Sequence, residues 1–421
     1  MLQDEAGQGL GRQFWLLSLA LALLGIGFQG MIQLLKVLYE LRLGFDAEFV
    51  GTLFAVGAAC FALASVPAGA LGSRFGAQAV MIMGAVMTTA GALMLAATQL
   101  LPAPVRALGP LAFEVLSPAG WSFLVVNQVA AITALTTPRS RRRAFGLKEA
   151  LLGFGMLVGA LVGGLLPGFF ARLLGMTTAE AAPYGYAILA AAILSMAAFV
   201  PLILLRPVPR VERATAGASS LPPLPLILVV GMCAFLNNMA FATVRVFSAA
   251  YMDTIFNLPT SLIGAVASLG TLVAIGAALS TARLARGRGS IFAMLVATIV
   301  TGVSVLVMAI VPSWGMVSVG VIGTLGMASL WVPAYQLVQM DLAAAEWRSV
   351  VAGIGSLTMS LGFGTMSLAG GRIVVAFGYR TLYVIAALLA FTSVLLILAI
   401  SRLVTRQTHL LQVRQQNAMT L

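Results

Sequence analysis

Positions 289–340 read GSIFAMLVATIVTGVSVLVMAIVPSWGMVSVGVIGTLGMASLWVPAYQLVQM, a run of 52 residues without one Asp, Glu, Lys or Arg. A helix needs about 20 apolar residues to cross the hydrocarbon core of a membrane. The turn residues Pro312-Ser313-Trp314-Gly315 divide the run, because proline and glycine end regular helices. This stretch therefore predicts two membrane-spanning helices.

The rest of the chain repeats this pattern. Its 421 residues are 61% apolar and only 9% charged, whereas about a quarter of a soluble domain is charged. Ten further charge-free runs have at least 21 residues. We expect an all-α membrane protein with twelve transmembrane helices, near positions 14–36, 47–71, 79–99, 107–135, 145–171, 184–205, 223–250, 259–281, 290–311, 315–340, 348–375 and 380–402.

The predicted spans fall into two pseudo-symmetric six-helix bundles. Residues 1–205 form the first bundle, and the proline-rich, polar segment 206–222 is expected to be a cytoplasmic linker. Residues 223–421 form the second bundle and end in a short cytoplasmic tail. Transporters often place a binding site between two such repeats, near the middle of the membrane.

The composition excludes several classes of function. The chain has two lysines, Lys36 and Lys148, and neither lies in a phosphate-binding loop, so nucleotide hydrolysis is excluded. The single histidine, His409, leaves no His-based metal site or Ser-His triad. Cys60 and Cys233 fall in separate apolar runs and imply no disulfide framework. We expect a protein that is not an enzyme and binds no metal or cofactor.

The net charge of +12 indicates topology. Arginines cluster after the fourth, sixth and eighth predicted spans and at the C-terminus. Short cytoplasmic loops are rich in Lys and Arg, so both termini are expected in the cytoplasm, with the protein spanning the inner (plasma) membrane. The basic loops then attract anionic membrane lipids, and no nucleic acid is expected as a partner.

The loop after the second span carries a family motif. It reads Gly69-Ala70-Leu71-Gly72-Ser73-Arg74-Phe75-Gly76-Ala77. With the six-plus-six layout, it resembles the major facilitator superfamily of transporters, whose pattern is G-x-L-x-D-R-x-G-R/K. The glycines and Arg74 match, and the resemblance implies a gating role for Gly69, Arg74 and Gly76. Ser73 replaces the family's Asp, and Ala77 with Gln78 replaces its basic pair, which implies a weaker or differently built latch.

A second motif lies in the fifth span. Residues 155–164 read GMLVGALVGG and resemble the pattern G-x-x-x-G-P-x-x-G-G of drug-efflux antiporters, with Ala160 in place of Pro. The resemblance implies export and a gating role for Gly155, Gly159 and Gly163. Glycines four apart also let two membrane helices approach closely, so plain packing is an equal alternative. The following Gly164 completes a Gly-Gly pair that Gly370-Gly371 repeats in the eleventh span.

Two ionisable residues inside spans are candidates for proton coupling, because charges within the membrane are costly and mark function. Glu114, about eight residues into the fourth span, is the candidate proton carrier; a static ion pair or a snorkelling carboxylate is the alternative. Arg245 lies at a similar depth in the seventh span. It either contacts an anionic part of the substrate or holds Glu114 ionised in one state. A static salt bridge between the halves, or snorkelling, is an equal alternative. Lys36, at the outer end of the first span, is expected to snorkel.

The resemblance implies that spans 1, 4, 7 and 10 line a central cavity, and polar and aromatic residues gather there at helical spacing. The candidate substrate-binding residues are Gln29, Gln33, Trp121, Gln128, Asn238, Phe241, Trp331, Tyr335 and Gln339, with Gln336 adjacent. Asn238 has bonding between helices as an equal alternative. Lys148 and Glu149 are interpreted as a gate pair or a packing contact.

These features predict a monomeric secondary active transporter that works by alternating access. Its partners are protons and a small-molecule substrate, amphiphilic or apolar, which is exported. Two alternatives stay open. One is uptake or uniport of a metabolite such as a sugar, an organic anion or a lysolipid, and the other is a non-transporting assembly or sensor protein on the same fold.

Overall fold

The computed structural model describes residues 10–206, 224–342 and 348–419, which are almost entirely helical and contain no strand. The helices are α1 (Arg12–Arg42), α2 (Ala47–Phe75), α3 (Ala77–Ala96), α4 (Leu108–Leu135), α5 (Pro138–Leu174), α6 (Ala182–Ile203), α7 (Leu224–Phe256), α8 (Thr260–Arg288), α9 (Ser290–Ile310), α10 (Trp314–Leu342), α11 (348–377) and α12 (379–419). Short 3-10 turns at Ala97–Leu100 and Ala103–Val105 lie between α3 and α4. Beyond Arg206, the predicted linker lies outside the described residues.

Gly378 separates α11 from α12. Its φ of 80° and ψ of 168° are not helical, and glycine adopts such angles without a steric penalty. The chain reverses there, because a methyl group placed on Gly370 would lie 3.2 Å from Leu382 Cδ1. A straight helix would separate these two residues by about 18 Å.

The predicted number of spans is confirmed. In the described residues, eleven continuous helices are long and apolar enough to cross a membrane. The last of them, Gly353–Ala399, has 47 residues and contains two spans because it reverses at Gly378. The all-α fold with twelve transmembrane helices therefore holds.

Helix α5 begins earlier than the sequence predicts. Thr137 and Ser140 form a capping box, and Pro138 occupies the first turn, where its missing N–H costs no hydrogen bond. Arg141 Nη2 also donates to the Thr133 carbonyl oxygen at 3.2 Å, which ties the start of α5 to the end of α4. The membrane span Arg143–Leu174 starts two residues from the predicted position 145, but positions 141 and 143, which were expected in a loop, are in helix.

Helix α1 contains a π-helical segment, Gly25–Ile32. Such wide turns are rare and often occur at functional sites. The segment packs closely on α5, since a methyl group on Gly30 would lie 2.6 Å from Gly159 Cα. Glycine on both sides of this contact lets the two backbones touch.

We call residues 10–206 the first half and residues 224–419 the second half. The backbones of two helix pairs come close together where the halves meet. Between α5 and α8, a methyl group on Gly164 would lie 3.0 Å from Gly264 Cα. Between α2 and α11, a methyl group on Gly371 would lie 2.8 Å from Glu48 Cα. Each pair is a close backbone contact without intervening side chains.

In both Gly-Gly pairs, one glycine contacts the opposite half and the other contacts its own half. Gly164 and Gly371, the second glycine of each pair, face the opposite half. The first glycines face their own half: methyl groups there would lie 3.0 Å from Met31 Cα for Gly163, and 2.7 Å from Phe247 Cε2 for Gly370. The internal similarity seen in the sequence thus corresponds to equivalent contacts in the two halves.

Candidate functional site

A cavity of about 880 Å³ lies between the two halves. Helices α1 and α5 line it from the first half, and α7, α8 and α10 line it from the second. Its size is within the range of sites for drug-sized ligands. The sequence-predicted site residues that line it are Gln29, Gln33, Glu149, Phe241 and Arg245, together with the adjacent Gln336.

Most of the remaining lining is apolar. Larger apolar side chains from four helices face the cavity: Met156, Val244, Ile263, Ile275, Leu325 and Val332. Ser248, Thr271 and Ser329 add hydroxyl groups. Such a lining fits a ligand with an apolar body and few polar groups.

The cavity reaches one end of the helices and stops before the other. We call the end at which α6 stops and α7 starts the linker end, and the opposite end the distal end. Gly146 of α5 and Ala278 of α8 line the cavity near the linker end. Glu149, also on this side, is 63% exposed, so solvent enters there. Towards the distal end the lining stops at Met252 and Ile263.

Contacts between the halves close the distal end. Arg42 of α1 and Asp253 of α7 form a bidentate ion pair, with Nη1–Oδ2 at 2.6 Å and Nη2–Oδ1 at 2.7 Å. The hydroxyl groups of Tyr184 and Thr260 lie 2.8 Å apart. Asp253 and Thr260 lie one and three residues beyond the last cavity residues of their helices, so these contacts form the distal closure directly above the cavity. Sequence analysis did not select Arg42 or Asp253; their charge within membrane helices was the available signal.

Arg245 lies towards the closed end of the cavity. It is 11 residues from the end of α7 at Phe256, or about 17 Å along the helix. Phe241 and Ser248 flank it on the same helical face and also line the cavity. Among the described residues, four ion pairs form, and none of them includes Arg245.

Glu114 is paired with Lys36 and not with Arg245. The Lys36 ammonium group donates to Glu114 Oε1, and both side chains are 2% exposed. Lys36 Nζ also lies 3.7 Å from the centre of the Phe54 ring, a favourable cation–π contact. The expectation that Lys36 snorkels was therefore wrong, because a carboxylate and aromatic rings solvate its charge inside the first half.

Glu40 extends this charged cluster, and sequence analysis missed it. Its side chain is fully buried, and neither carboxylate oxygen has a hydrogen-bond partner among the described residues. Buried polar groups without partners are uncommon. Lys36 and Glu40 are four residues apart and so are neighbours on one helical face, which was the available signal. We call Lys36, Glu40 and Glu114 the buried charge cluster.

The other predicted substrate contacts lie outside the cavity. Trp121 of α4 packs on Phe28, with ring centres 5.5 Å apart, and Gln128 is buried. No residue of α4 is in the described lining, because its polar face is turned into the first half. The expectation that α4 lines this cavity was wrong, whereas α1, α7 and α10 do so. A role of Trp121 and Gln128 in binding stays a prediction.

The remaining predicted contacts pack within the second half. Trp331 is stacked on Tyr335, with ring centres 4.7 Å apart, and donates to Thr298 Oγ1 at 3.1 Å. Asn238 donates to the Ala234 carbonyl oxygen at 3.3 Å, and Gln339 donates to that of Val351 at 3.2 Å. These four side chains pack against neighbouring residues or donate hydrogen bonds to them, and they do not line the described cavity. On α10, Pro333 and Gln336 line the cavity instead.

The predicted gating residues occupy three places. Gly155, Gly159 and Gly163 pack α5 against α1. Lys148 and Glu149 are paired at 2.5 Å near the cavity entrance. Gly69, Arg74 and Gly76 lie at the linker end of α2 and its turn to α3; Gly76 has a φ of +92°, and Arg74 lies exposed over the Phe75 ring. Gating by these residues stays a prediction.

Gln78, which stands at a basic position of the family pattern, joins α3 to α6. Its Nε2 donates to the carbonyl oxygens of Leu202 at 3.0 Å and Leu205 at 2.6 Å. Leu202 lies in the last turn of α6 and Leu205 lies just beyond its end, where carbonyl groups have no partner within the helix. Gln78 therefore holds α3 to α6 within the first half.

Several solved transporters have a similar fold. The nucleoside transporter NupG is 13% identical with a TM-score of 0.72, covering 93% of this chain and 100% of that chain. A POT family transporter in complex with a thioalcohol-conjugated peptide is 13% identical with a TM-score of 0.72, covering 94% and 97%. A bacterial homologue of the human lysosomal transporter Spinster, in an inward-facing and occupied conformation, is 16% identical with a TM-score of 0.68, covering 92% and 96%.

Sequence comparison gives the family. No curated protein sequence matches the chain. The family model of the Major Facilitator Superfamily matches residues 14–362, which is most of its length. The chain therefore belongs to the Major Facilitator Superfamily and is a multi-pass membrane transporter.

Proposed function

We propose that the protein is a secondary active transporter that exports a small amphiphilic organic molecule by alternating access. The observation that carries this proposal is the cavity between the halves, which is open to solvent at Glu149 and sealed by cross-half contacts at the distal end. Alternating access requires such a site with one closed end, together with contacts that break when the other end closes.

The close glycine contacts between the halves support this motion. Gly164 of α5 meets the backbone of α8, and Gly371 of α11 meets the backbone of α2, with no interlocking side chains. Small residues at such interfaces allow close approach, and smooth surfaces allow one helix to tilt on the other. We propose that the halves pivot along these two helix pairs.

We further propose that transport is coupled to protons through Glu114 in the buried charge cluster. A row of rings links the cluster to the cavity: Lys36 contacts Phe54, Phe54 lies 6.3 Å from Phe363, and Phe363 lies 6.4 Å from the cavity residue Phe241. Phe54 belongs to the first half and Phe363 to the second, so movement of the halves changes the surroundings of Lys36. This supports an exchange in which proton uptake at the cluster and substrate binding compete.

The test uses purified protein in proteoliposomes that contain a pH-sensitive dye. Organic compounds are first screened by thermal shift, and each hit is then tested for proton flux against its own gradient. Glu114→Gln is expected to abolish coupled flux, because the amide cannot release a proton. Glu180→Gln, the same exchange at an exposed position between α5 and α6, is the control and should leave coupled flux unchanged. Unchanged coupled transport by Glu114→Gln would remove the proton-carrier role.

The same assay separates the alternatives. Uniport or facilitated uptake persists after an ionophore dissipates the proton gradient, whereas antiport stops. One solved relative is a nucleoside transporter, and another is a transporter in complex with a thioalcohol-conjugated peptide, which supports an organic substrate here. If no thermal-shift hit moves in either direction, the transport proposal fails and a non-transporting role gains support.

A further inference from the structure

We infer that the substrate carries one anionic group, such as a carboxylate, a sulfonate or a phosphate ester, which Arg245 binds towards the closed end of the cavity. This inference rests on the proposed function and specifies its substrate class as an amphiphilic organic monoanion.

The charge of Arg245 has no counterpart in the cavity. Arg245 and Glu149 are the charged side chains among the described lining residues. Glu149 lies on the entrance side and is paired with Lys148 at 2.5 Å. Arginine keeps its proton under all physiological conditions, and an unpaired charge is costly away from water. When the cavity closes around a substrate, an anionic group of that substrate would supply the missing partner.

Two other cations towards the distal end are already neutralised. Arg42 is held in two hydrogen bonds by Asp253, and Lys36 donates to Glu114 within the first half. Arg245 is therefore the cation that remains for a ligand in the closed part of the cavity. In this structure Glu114 pairs with Lys36, so the interpretation in which Arg245 holds Glu114 ionised in one state stays a prediction.

Neutral hydrogen-bond donors line the same cavity as Arg245. Gln29 and Gln33 lie one turn apart on α1, are half-buried and line the cavity, and Ser248 lies one turn beyond Arg245 on α7. Amide and hydroxyl groups donate to anionic oxygens without adding charge. One guanidinium with neutral donors matches one negative charge rather than two.

The rest of the lining specifies an apolar body. Towards the linker end the cavity is lined by side chains such as Met156, Ile275 and Val332. A ligand whose anion binds Arg245 would place its remaining part against these side chains. The volume of about 880 Å³ accommodates a drug-sized molecule.

The test measures binding of three probes with the same apolar body: naphthalene-2-acetate, naphthalene-2-acetamide and 2-(naphthalen-2-yl)ethylamine. Isothermal titration calorimetry on the full-length protein in nanodiscs gives each affinity. Wild-type protein is expected to bind the anion at least tenfold more tightly than the amide or the amine. Arg245→Gln should remove this preference and leave the affinity for the amide within about twofold, and Arg245→Lys should keep part of it.

A matched control is Arg372→Gln, because Arg372 is 66% exposed, on α11, and outside the cavity lining. It should leave all three affinities unchanged. Size-exclusion profiles and retained amide binding show that the Arg245 variants are folded. A wild-type protein that binds the anion no better than the amide, or does not bind it, overturns the inference, as does an anion preference that survives Arg245→Gln. If a neutral or cationic compound is transported independently of Arg245, the inference fails while the proposed function stands; if no compound is transported, the proposed function itself fails.

Discussion

Asp253→Asn is expected to weaken the distal closure. The variant keeps the shape of the side chain and removes the charge that holds Arg42 in two short hydrogen bonds. Arg42 Nε also donates to the Thr178 carbonyl oxygen at 3.1 Å, so the guanidinium loses its charged partner but not every contact. The state that is open at the distal end should become more populated.

The free energy lost when the Arg42–Asp253 ion pair is broken follows from how deeply the pair is buried. The side chains of Arg42 and Asp253 are 21% and 7% exposed. Exposed ion pairs contribute about 0.2–1 kcal/mol, and breaking a fully buried pair costs about 3–5 kcal/mol. An intermediate value of about 2 kcal/mol changes the ratio of the two states about 30-fold. A distal-open state populated at about 1% would then rise to roughly a fifth of the molecules.

The assay is double electron–electron resonance between spin labels at Glu180 and Ile255. Glu180 lies between α5 and α6, Ile255 lies in the last turn of α7, and both are exposed. Cys60 and Cys233 are first replaced by Ala or Ser. A longer-distance component should appear in Asp253→Asn and grow to about a fifth of the signal.

Glu48→Gln is the matched control, because it breaks the other distal ion pair. Glu48 and Arg372 are 3.2 Å apart and 45% and 66% exposed, so less than about 1 kcal/mol is expected from their separation. The distance distribution should stay close to that of the wild type. Identical distributions for Asp253→Asn and the wild type, or an equal change in Glu48→Gln, would refute the reasoning.

Three further variants test the pivot and the buried charge cluster. Gly164→Val should reduce transport in vesicles more than tenfold, because even a methyl group there would lie 2.9 Å from the Thr260 carbonyl oxygen. The control Gly168→Val, whose added methyl group would have nothing within 4 Å, should transport at near the wild-type rate. Equal losses of transport in the two variants would contradict a pivot at Gly164. Lys36→Met should lower Tm in a fluorescence melt by several degrees, because an unpaired buried carboxylate costs about 3–5 kcal/mol. Adding Glu114→Gln should restore most of the lost Tm. An unchanged Tm in Lys36→Met would argue against the ion pair. Glu40→Gln should leave Tm unchanged or raise it, since neither carboxylate oxygen accepts a hydrogen bond among the described residues, and a loss as large as that of Lys36→Met would show a missed partner.

The sequence predicts the helices well because membrane spans depend on local composition. Charge-free runs gave all twelve, and turn residues divided the longest of them correctly. The first turns of α5 were not predicted, because they contain several arginines and therefore have low hydropathy. The helix starts there because of the capping box at Thr137, which a hydropathy pattern does not detect. Helix ends depend on side-chain to backbone bonds that an apolar pattern does not contain.

The candidate site was predicted in part. Gln29, Gln33, Phe241 and Arg245 line the cavity as periodicity on α1 and α7 suggested. The pairing of Glu114 was not predicted, because sequence gives the depth of a residue in the membrane but not the direction in which its helix faces. Lys36 and Glu114 lie 78 positions apart, and only packing of α1 on α4 brings them together.

Because the two glycines of each Gly-Gly pair contact different halves, the helix segments that carry them should not tolerate the insertion or deletion of a residue. One residue of α-helix corresponds to a rotation of about 100°, which separates the face towards the same half from the face towards the other half. Inserting or deleting a single residue just before Gly163 or Gly370 would therefore turn bulky side chains into both interfaces at once. These stretches should accept conservative exchanges at neighbouring lipid-facing positions during evolution, yet reject changes of length, and any natural variant with an altered length there would need a compensating change on the same helix.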